Sequence, residues 1–278
     1  MSAKRLTTST FVYLISIIAF VCFVFPFVLL IINSFKSNGE ILSSPFSLPH
    51  HWNFSHFVDV VNKMDFLVTF KNSFLITIIS TFLIVIFSAM AAYHLVRKPT
   101  KYNKIFFTIL VASMVIPFQS LMIPLIYIYG GQLHLIDWIP IPLLIFFYIG
   151  FGSALSIFMF HGFIKSVPFE IEEAARIDGC NTIQTFFLIV LPMLKPITVT
   201  IAILNVLWIW NDYLLPSLVL NDESVYTMPV KMKVFNGTYM NNWELLIPAI
   251  LLTVIPILIM YMLGQKSIIN GVMQGSIK

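Results

Sequence analysis

Charged residues are scarce in this chain. Only 10% of its 278 residues are Asp, Glu, Lys or Arg, against roughly 25% in ordinary soluble domains. Hydrophobic residues make up 59%, and the mean hydropathy is +0.93. A soluble fold could not cover its surface with so little polar material. The composition therefore excludes a soluble globular protein and favours an integral membrane protein.

Residues for catalysis and metal binding are also few. The two cysteines, Cys22 and Cys180, have no metal-ligand neighbour at the usual spacing, and we expect them not to pair. Three histidines within residues 50–56 are interpreted as part of an interfacial loop rather than as a metal site. No Gly is followed by Lys, so the G-x-x-x-x-G-K-[ST] phosphate loop is absent. These absences argue against a membrane enzyme, a metal site and an ATP site in this chain.

Long hydrophobic runs are the main feature that is present. A helix needs about 20 apolar residues to cross the hydrocarbon core. The first run is too long for the apolar core of a signal peptide, and no small-residue cleavage site follows it. We predict an all-α membrane protein with a single domain over residues 1–278 and six spans, at about 11–32, 73–96, 105–129, 139–160, 197–220 and 245–263. Seven prolines are interpreted as packing kinks: Pro26, Pro117, Pro124, Pro192, Pro196, Pro216 and Pro256.

The distribution of Lys and Arg predicts the orientation. With six spans, eleven of these residues fall on the side of the N-terminus and five on the other side. The positive-inside rule then places both termini in the cytoplasm. Because the basic residues flank the spans, the net charge of +4 requires no nucleic acid partner.

A polar block separates the fourth and fifth runs, at about residues 161–196. Pro168 suits the first turn of a helix. Gly179 stands where that helix would stop, and it allows a sharp turn with positive φ. We predict a helix over about residues 168–179. Its early turns, where the helix dipole favours acids, carry Glu170, Glu172 and Glu173.

Two local pairings extend this prediction. Glu172 and Arg176 are four residues apart, in the order that stabilises a helix. Asn181 can cap a second helix, with Gln184 three residues on as in a capping box. The apolar face of that second helix would consist of Ile183, Phe186, Phe187 and Val190.

The first helix carries too many acids to rest on an anionic membrane surface. Ala174 and Ala175 leave one of its surfaces almost bare, and small residues let another backbone come close. Glu173 and Arg176 flank this surface and can pair with a polar partner. The block therefore favours docking into a soluble protein, with a solvated surface loop as the alternative.

The spacing within this block resembles a known signature, "EAA---G---------I-LP". It is formed here by Glu173, Ala174, Ala175, Gly179, Ile189, Leu191 and Pro192. The chain thus resembles the permease subunits of binding-protein-dependent ABC importers, in particular the carbohydrate permeases of the type of the second maltose permease. Further segments resemble that type, in order along the chain: Asn72–Phe74, Ala91–Tyr93 with Arg97, Ile116–Gln119, Ile123–Leu125, Trp210–Leu214 with Pro216, and the tail with Gly271, Gly275 and Lys278.

The resemblance implies a division of labour. A partner ATPase dimer would bind ATP and Mg²⁺, and the helix at about 168–179, including Arg176 and Asp178, would sit in a cleft of one ATPase subunit. A homologous permease would complete the pore. An extracellular or periplasmic sugar-binding protein would deliver the cargo, which in relatives is a mono-, di- or oligosaccharide or, alternatively, glycerol phosphate.

Polar residues of the predicted fifth span are candidates for the translocation path. Asp212 is the one ionisable residue deep in a predicted span, where a carboxylate costs about 2.5–3.5 kcal/mol. Asn205 and Trp208 share its helix face at i, i+3, i+7 spacing, and Asn211 borders that face. This face either lines the path or packs beside the partner permease. Gln119 either contacts sugar or bonds to a neighbouring helix. A secondary transporter, the rival class, would show internal repeats and coupling-ion ligands in several spans.

Overall fold

The computed structural model describes residues 3–236 and 242–276, and no β-strand occurs among them. π-Helical segments lie at Ile126–Gln132 and Thr185–Val190. Short 3₁₀ segments lie at Glu223–Val225 and Met232–Phe235. The helices are α1 (Ala3–Asn33), α2 (Asn38–Ser43), α3 (Ser55–Lys63), α4 (Phe66–Arg97), α5 (Lys101–Ser113), α6 (Phe118–Leu125), α7 (Leu135–Trp138), α8 (Pro140–Ile164), α9 (Phe169–Ile177), α10 (Thr182–Gln184), α11 (Leu191–Met193), α12 (Lys195–Asn211), α13 (Leu214–Val219), α14 (Met228–Lys231) and α15 (Trp243–Ser276).

Four helical stretches are each long and apolar enough to cross a membrane alone. They are Phe11–Asn33, Phe66–Arg97, Pro140–Ile164 and Trp243–Met262. Two bent helix pairs bring the number to as many as six if each pair counts as one span: Lys101–Ser113 with Phe118–Gln132, and Thr182–Met193 with Lys195–Asn211. The predicted all-α class is confirmed for the described residues, with four to six candidate spans.

The predicted third span, 105–129, is not one straight helix. Its two halves are bent by 95° between Ser113 and Phe118. Pro117 caps the second half in an extended conformation. A proline lacks an N–H and disfavours the helical conformation of the residue before it, which explains a break at this point. By contrast, Pro26 and Pro256 lie inside continuous helices, α1 and α15.

The chain divides into two compact units. The first contains the described residues up to Leu67 together with Lys231–Pro256. In it Lys36 is fully buried, and its Nζ donates hydrogen bonds to Asn33 Oδ1 at 3.1 Å and to the Ser44 carbonyl at 2.9 Å. These bonds hold the turn between α1 and α2. Near the histidine cluster, His56 Nε2 lies 3.0 Å from Asn53 Nδ2. No group of three or more His, Cys, Asp or Glu side chains converges among the described residues.

The second unit comprises Val68–Val230 and the described residues from Ile257 onward. It has two apolar clusters. One packs α4 and α8 against α12 and α13, with Leu144, Tyr148, Ile209 and Leu215 among its buried members. The other lies where α4 and α8 end and the polar block begins, and it includes Ala92, Phe160, Phe186, Val190 and Leu194. The second cluster holds the polar block against the ends of these helices.

Candidate functional sites

A buried acid anchors α9, the first helix of the polar block. The Glu172 side chain is 0% exposed. Its Oε1 accepts a hydrogen bond from Arg97 Nε at 2.7 Å, and its Oε2 accepts one from the Tyr93 hydroxyl at 2.7 Å. Arg97 Nη2 also donates to the Val167 carbonyl at 2.9 Å. These contacts tie α9 to the end of α4, and we call Tyr93, Arg97 and Glu172 the clasp.

The predicted pairing of Glu172 with Arg176 is therefore wrong. Arg176 is exposed, and its guanidinium lies 5.7 Å from the centroid of the Phe169 ring. Glu172 points to the inner side of α9, where it meets Tyr93 and Arg97 of α4. The helix also begins one residue later than predicted, because Pro168 is its N-cap rather than part of its first turn.

The outer side of α9 remains open. Glu173 and Ala174 are exposed, whereas Ala175 is 7% exposed and packs inward. The prediction that the two alanines share one bare surface is wrong, because consecutive helical residues lie about 100° apart. On α9, Ile177 is 86% exposed, and in α10 Ile183 is 69% exposed. The outer side of α9 thus combines an acid with an exposed apolar side chain.

Gly179 closes α9 with the expected sharp turn. Its φ is +93°. The Gly179 N–H donates to the Arg176 carbonyl at 3.1 Å, and the Cys180 N–H donates to the Ala175 carbonyl at 3.0 Å. This hydrogen-bond pair is a Schellman motif, with Asp178 as the C-cap and glycine at the position that requires positive φ.

The second helix of the polar block starts with the predicted capping box. The Gln184 N–H donates to Asn181 Oδ1, and the Asn181 N–H donates to Gln184 Oε1, both at 2.9 Å. The helix then widens into the π-turn Thr185–Val190. Of the signature residues, Ile189 and Leu191 are half-buried and Pro192 is exposed. Leu191 packs against the second apolar cluster, so this part of the signature shapes the connection into α12.

The predicted fifth span, 197–220, is broken at Asp212. This residue is the C-cap of α12 and has an extended backbone, with φ −72° and ψ 126°. Its Oδ1 accepts a hydrogen bond from the Leu214 N–H at 3.0 Å, and its Oδ2 accepts one from the Tyr148 hydroxyl at 3.0 Å. Asp212 does not lie within a continuous helix. Its carboxylate stabilises the break and ties it to α8.

The face shared by Asn205, Trp208 and Asp212 is directed at α8. Asn205 Nδ2 donates to Ser156 Oγ at 3.2 Å, and the Trp208 ring meets the Tyr148 ring edge-on at 5.5 Å. A Cβ added to Gly152 would lie 2.9 Å from Asn205 Oδ1, so glycine permits this close approach. Sequence analysis missed the role of α8 here. The i, i+4, i+8 spacing of Tyr148, Gly152 and Ser156, with two small residues, is the signal that could have indicated it.

The remaining path candidates lie at the surface of the chain. Trp208 is 41% exposed. Asn211 is exposed, and its Nδ2 donates to the Leu207 carbonyl at 2.8 Å. Gln119 is exposed at the second residue of α6. In the tail, Gly271 and Gly275 fall within α15, and Lys278 lies outside the described residues.

The fold is shared with a chain of a solved transporter. A chain of a solved "bacterial ABC transporter involved in the import of the acidic polysaccharide alginate" matches with a TM-score of 0.78 and 23% identity, over 96% of this chain and 98% of that one. This chain therefore has the same fold as that chain.

Sequence comparison defines the family. The family model "Binding-protein-dependent transport system inner membrane component" matches residues 84–268, and the chain belongs to this family. The "Probable starch degradation products transport system permease protein AmyC" of Thermoanaerobacterium thermosulfurigenes is 36% identical over 91% of both chains. The "Melibiose/raffinose/stachyose import permease protein MelC" of Bacillus subtilis is 34% identical over the full length of both.

Proposed function

We propose that this chain is a permease subunit of an ATP-driven sugar importer and that α9 transmits the movement of a partner ATPase to the spans. The observation that carries the proposal is the clasp. A helix that only connected two spans would gain little from a buried ion pair to α4. An anchored helix with an open outer side can receive a force on one side and pass it on from the other.

The outer side of α9 is the surface that we assign to the ATPase dimer. Glu173 offers a carboxylate to a basic partner, and Ala174 allows a close approach. Ile177 supplies an apolar contact that would otherwise stay in water. ATP and Mg²⁺ would be bound by the partner, since this chain contains no phosphate-binding loop.

The other partners follow from the family. A homologous permease would complete the pore, and an extracellular or periplasmic binding protein would deliver the cargo. We assign a sugar as cargo because relatives such as AmyC and MelC are named for saccharide transport. The whole chain would form one permease domain of six spans, in which Lys101–Ser113 with Phe118–Gln132 counts as one span and the fifth span covers about residues 197–220, after the polar block.

Glu173→Lys tests this function in the assembled importer. We expect uptake to fall by at least about tenfold and the ATPase to be lost from the purified complex, because a cation would face a basic partner. Asp137→Lys is the matched control, since Asp137 is also an exposed acid on a short helix. Uptake and ATPase retention should be normal in this control. Equal behaviour of the two variants would contradict docking through α9.

The proposed orientation places residue 50 outside and residue 180 in the cytoplasm. His50 is exposed and Cys180 is half-buried. A membrane-impermeant thiol reagent applied to intact cells should label a His50→Cys variant but not the unmodified chain, which still contains Cys180. After the membrane is permeabilised, Cys180 should become reactive. Labelling of Cys180 in intact cells would reverse the orientation.

We further propose that the exposed parts of Trp208 and Asn211 line the translocation path, with Asp212 and Asn205 holding them in place. An indole and an amide can stack on and hydrogen-bond to a sugar. Because both oxygens of Asp212 already accept hydrogen bonds within the chain, its direct contact with cargo is secondary to its role at the break.

Substitutions at the break in the fifth span should distinguish residues that line the translocation path from residues that only stabilise the packing of the chain. Asp212→Ala removes the acceptors of two hydrogen bonds and should destabilise the chain by about 1.5–3 kcal/mol. Tyr148→Phe removes one of these bonds and should have a smaller effect on thermal stability. Trp208→Ala should reduce uptake and the sugar-stimulated ATPase rate while the complex stays assembled. Normal uptake by Trp208→Ala, or its loss from the complex, would contradict a path role.

A further inference from the structure

A cavity of about 280 Å³ lies apart from the coupling site. It is bounded by the end of α4, the start of α5 and the end of α8. Its polar lining includes Asn103, Lys104, His161 and Lys165, and its apolar lining includes Leu95 and Phe107. All of these residues belong to the second compact unit.

The charges around this cavity are all of one sign. No Asp or Glu lines it. Neither Lys104 nor Lys165 forms an ion pair with a carboxylate of the described residues. Lys104 and Lys165 are both exposed residues that line the cavity, and their ammonium groups attract an anion to it. The cavity therefore has the electrostatics of an anion site.

His161 adds a polar group to the same wall. Its ring stacks on Phe107 with 3.9 Å between the ring centroids and is half-buried. Among the described residues, neither ring nitrogen has a hydrogen-bond partner. The stacking fixes the ring at the side of the cavity, where a nitrogen can donate to an oxygen of a bound anion or accept from a hydroxyl.

The position of the cavity along the helices indicates which class of anion it would bind. The apolar helices α4 and α8 end at Arg97 and Ile164, and the ends of membrane spans lie at the level of the lipid headgroups. Leu95 and Phe107 give the cavity an apolar side. A basic pocket between helices at headgroup depth is the type of site that binds anionic lipid headgroups.

We propose that this cavity binds the phosphate group of an anionic glycerophospholipid. Lys104 and Lys165 would hold the phosphate oxygens, and His161 and Asn103 would hydrogen-bond to the headgroup. The glycerol and the first part of an acyl chain would lie along Leu95 and Phe107. A free phosphate ion would leave this apolar side uncovered, which is why a lipid fits better.

The test compares two double variants of the purified full-length chain by native mass spectrometry. One, Lys104→Gln with Lys165→Gln, removes both cations from the cavity. The other, Lys101→Gln with Lys195→Gln, removes two exposed lysines that begin α5 and α12 and do not line the cavity. Phosphatidylglycerol and phosphatidylcholine are the added lipids, and inorganic phosphate is the competitor.

We expect the unmodified chain to retain phosphatidylglycerol over phosphatidylcholine. The cavity variant should lose about tenfold or more of this binding, and the control variant less than about threefold, since an exposed lysine that does not line the cavity adds only a general attraction. Equal loss in both variants would overturn the proposal in favour of a general charge effect. Absence of lipid selectivity, or displacement of phosphatidylglycerol by millimolar phosphate, would overturn it as well.

Discussion

Glu172→Ala is expected to reduce uptake to background and to destabilise the packing of α9 on α4 by roughly 3–4 kcal/mol. The substitution leaves the Arg97 guanidinium without its carboxylate and the Tyr93 hydroxyl without its acceptor. The cost lies toward the lower part of the range for buried pairs because the Arg97 side chain is 14% exposed and keeps some contact with water.

Glu170→Ala is the matched control, because Glu170 is an exposed acid two residues earlier in the same helix. Uptake and thermal stability should be measured for both variants in the assembled importer. Glu172→Gln adds a sharper comparison, since an amide oxygen can still accept from Tyr93 but carries no charge. It should stay in the complex with its ATPase while coupling between hydrolysis and uptake falls. If Glu172→Ala matched the Glu170→Ala control, the clasp would have no role in coupling.

Gly179→Asp is expected to abolish uptake while the chain still reaches the membrane. The φ of +93° at this position strains any L side chain, at a cost on the order of 1–3 kcal/mol. A Cβ here would meet no atom of this chain within 4 Å, so the cost comes from the backbone alone. Relaxing that strain would rotate α9 relative to the capping box at Asn181 and misplace the outer side of α9.

Gly39→Asp provides the control, because Gly39 also has open space around its Cβ but no positive φ. It should leave uptake unchanged. Gly179→Asn should be milder than Gly179→Asp or Gly179→Val, since Asn is the side chain that best tolerates positive φ. The measurements are uptake, membrane level and ATPase retention. Full uptake by Gly179→Val would show that the turn tolerates distortion.

Local rules were sufficient to predict part of the polar block. The turn at Gly179 and the capping box of Asn181 with Gln184 depend on residues within a few positions of each other, so the sequence predicts them directly. The partner of Glu172 is different, because Arg97 lies 75 residues away. The spacing of four residues predicted Arg176 as the partner of Glu172. Only the packing of α9 on α4 makes Arg97 the partner instead.

The spans also combine features that the local sequence predicts with features that depend on contacts between helices. Apolar length predicts where helices occur, but it does not predict where they break. The 95° bend before Phe118 and the break at Asp212 both interrupt stretches that the apolar pattern predicts as single spans. Pro117 and Pro216 lie near the two breaks. The second break falls at Asp212 because the hydroxyl of Tyr148, a residue of another helix, donates a hydrogen bond to the Asp212 carboxylate.

The attachment of α9 through Arg97 also limits how that helix can move. One guanidinium holds two separate points of the segment, the Val167 carbonyl before the helix and the Glu172 carboxylate one turn inside it. While both hydrogen bonds are in place, α9 can neither rotate about its own axis nor slide along α4. It can still tilt together with α4. A partner that pushed on Glu173 and Ile177 would thus tilt α9 and α4 together rather than turn α9 alone.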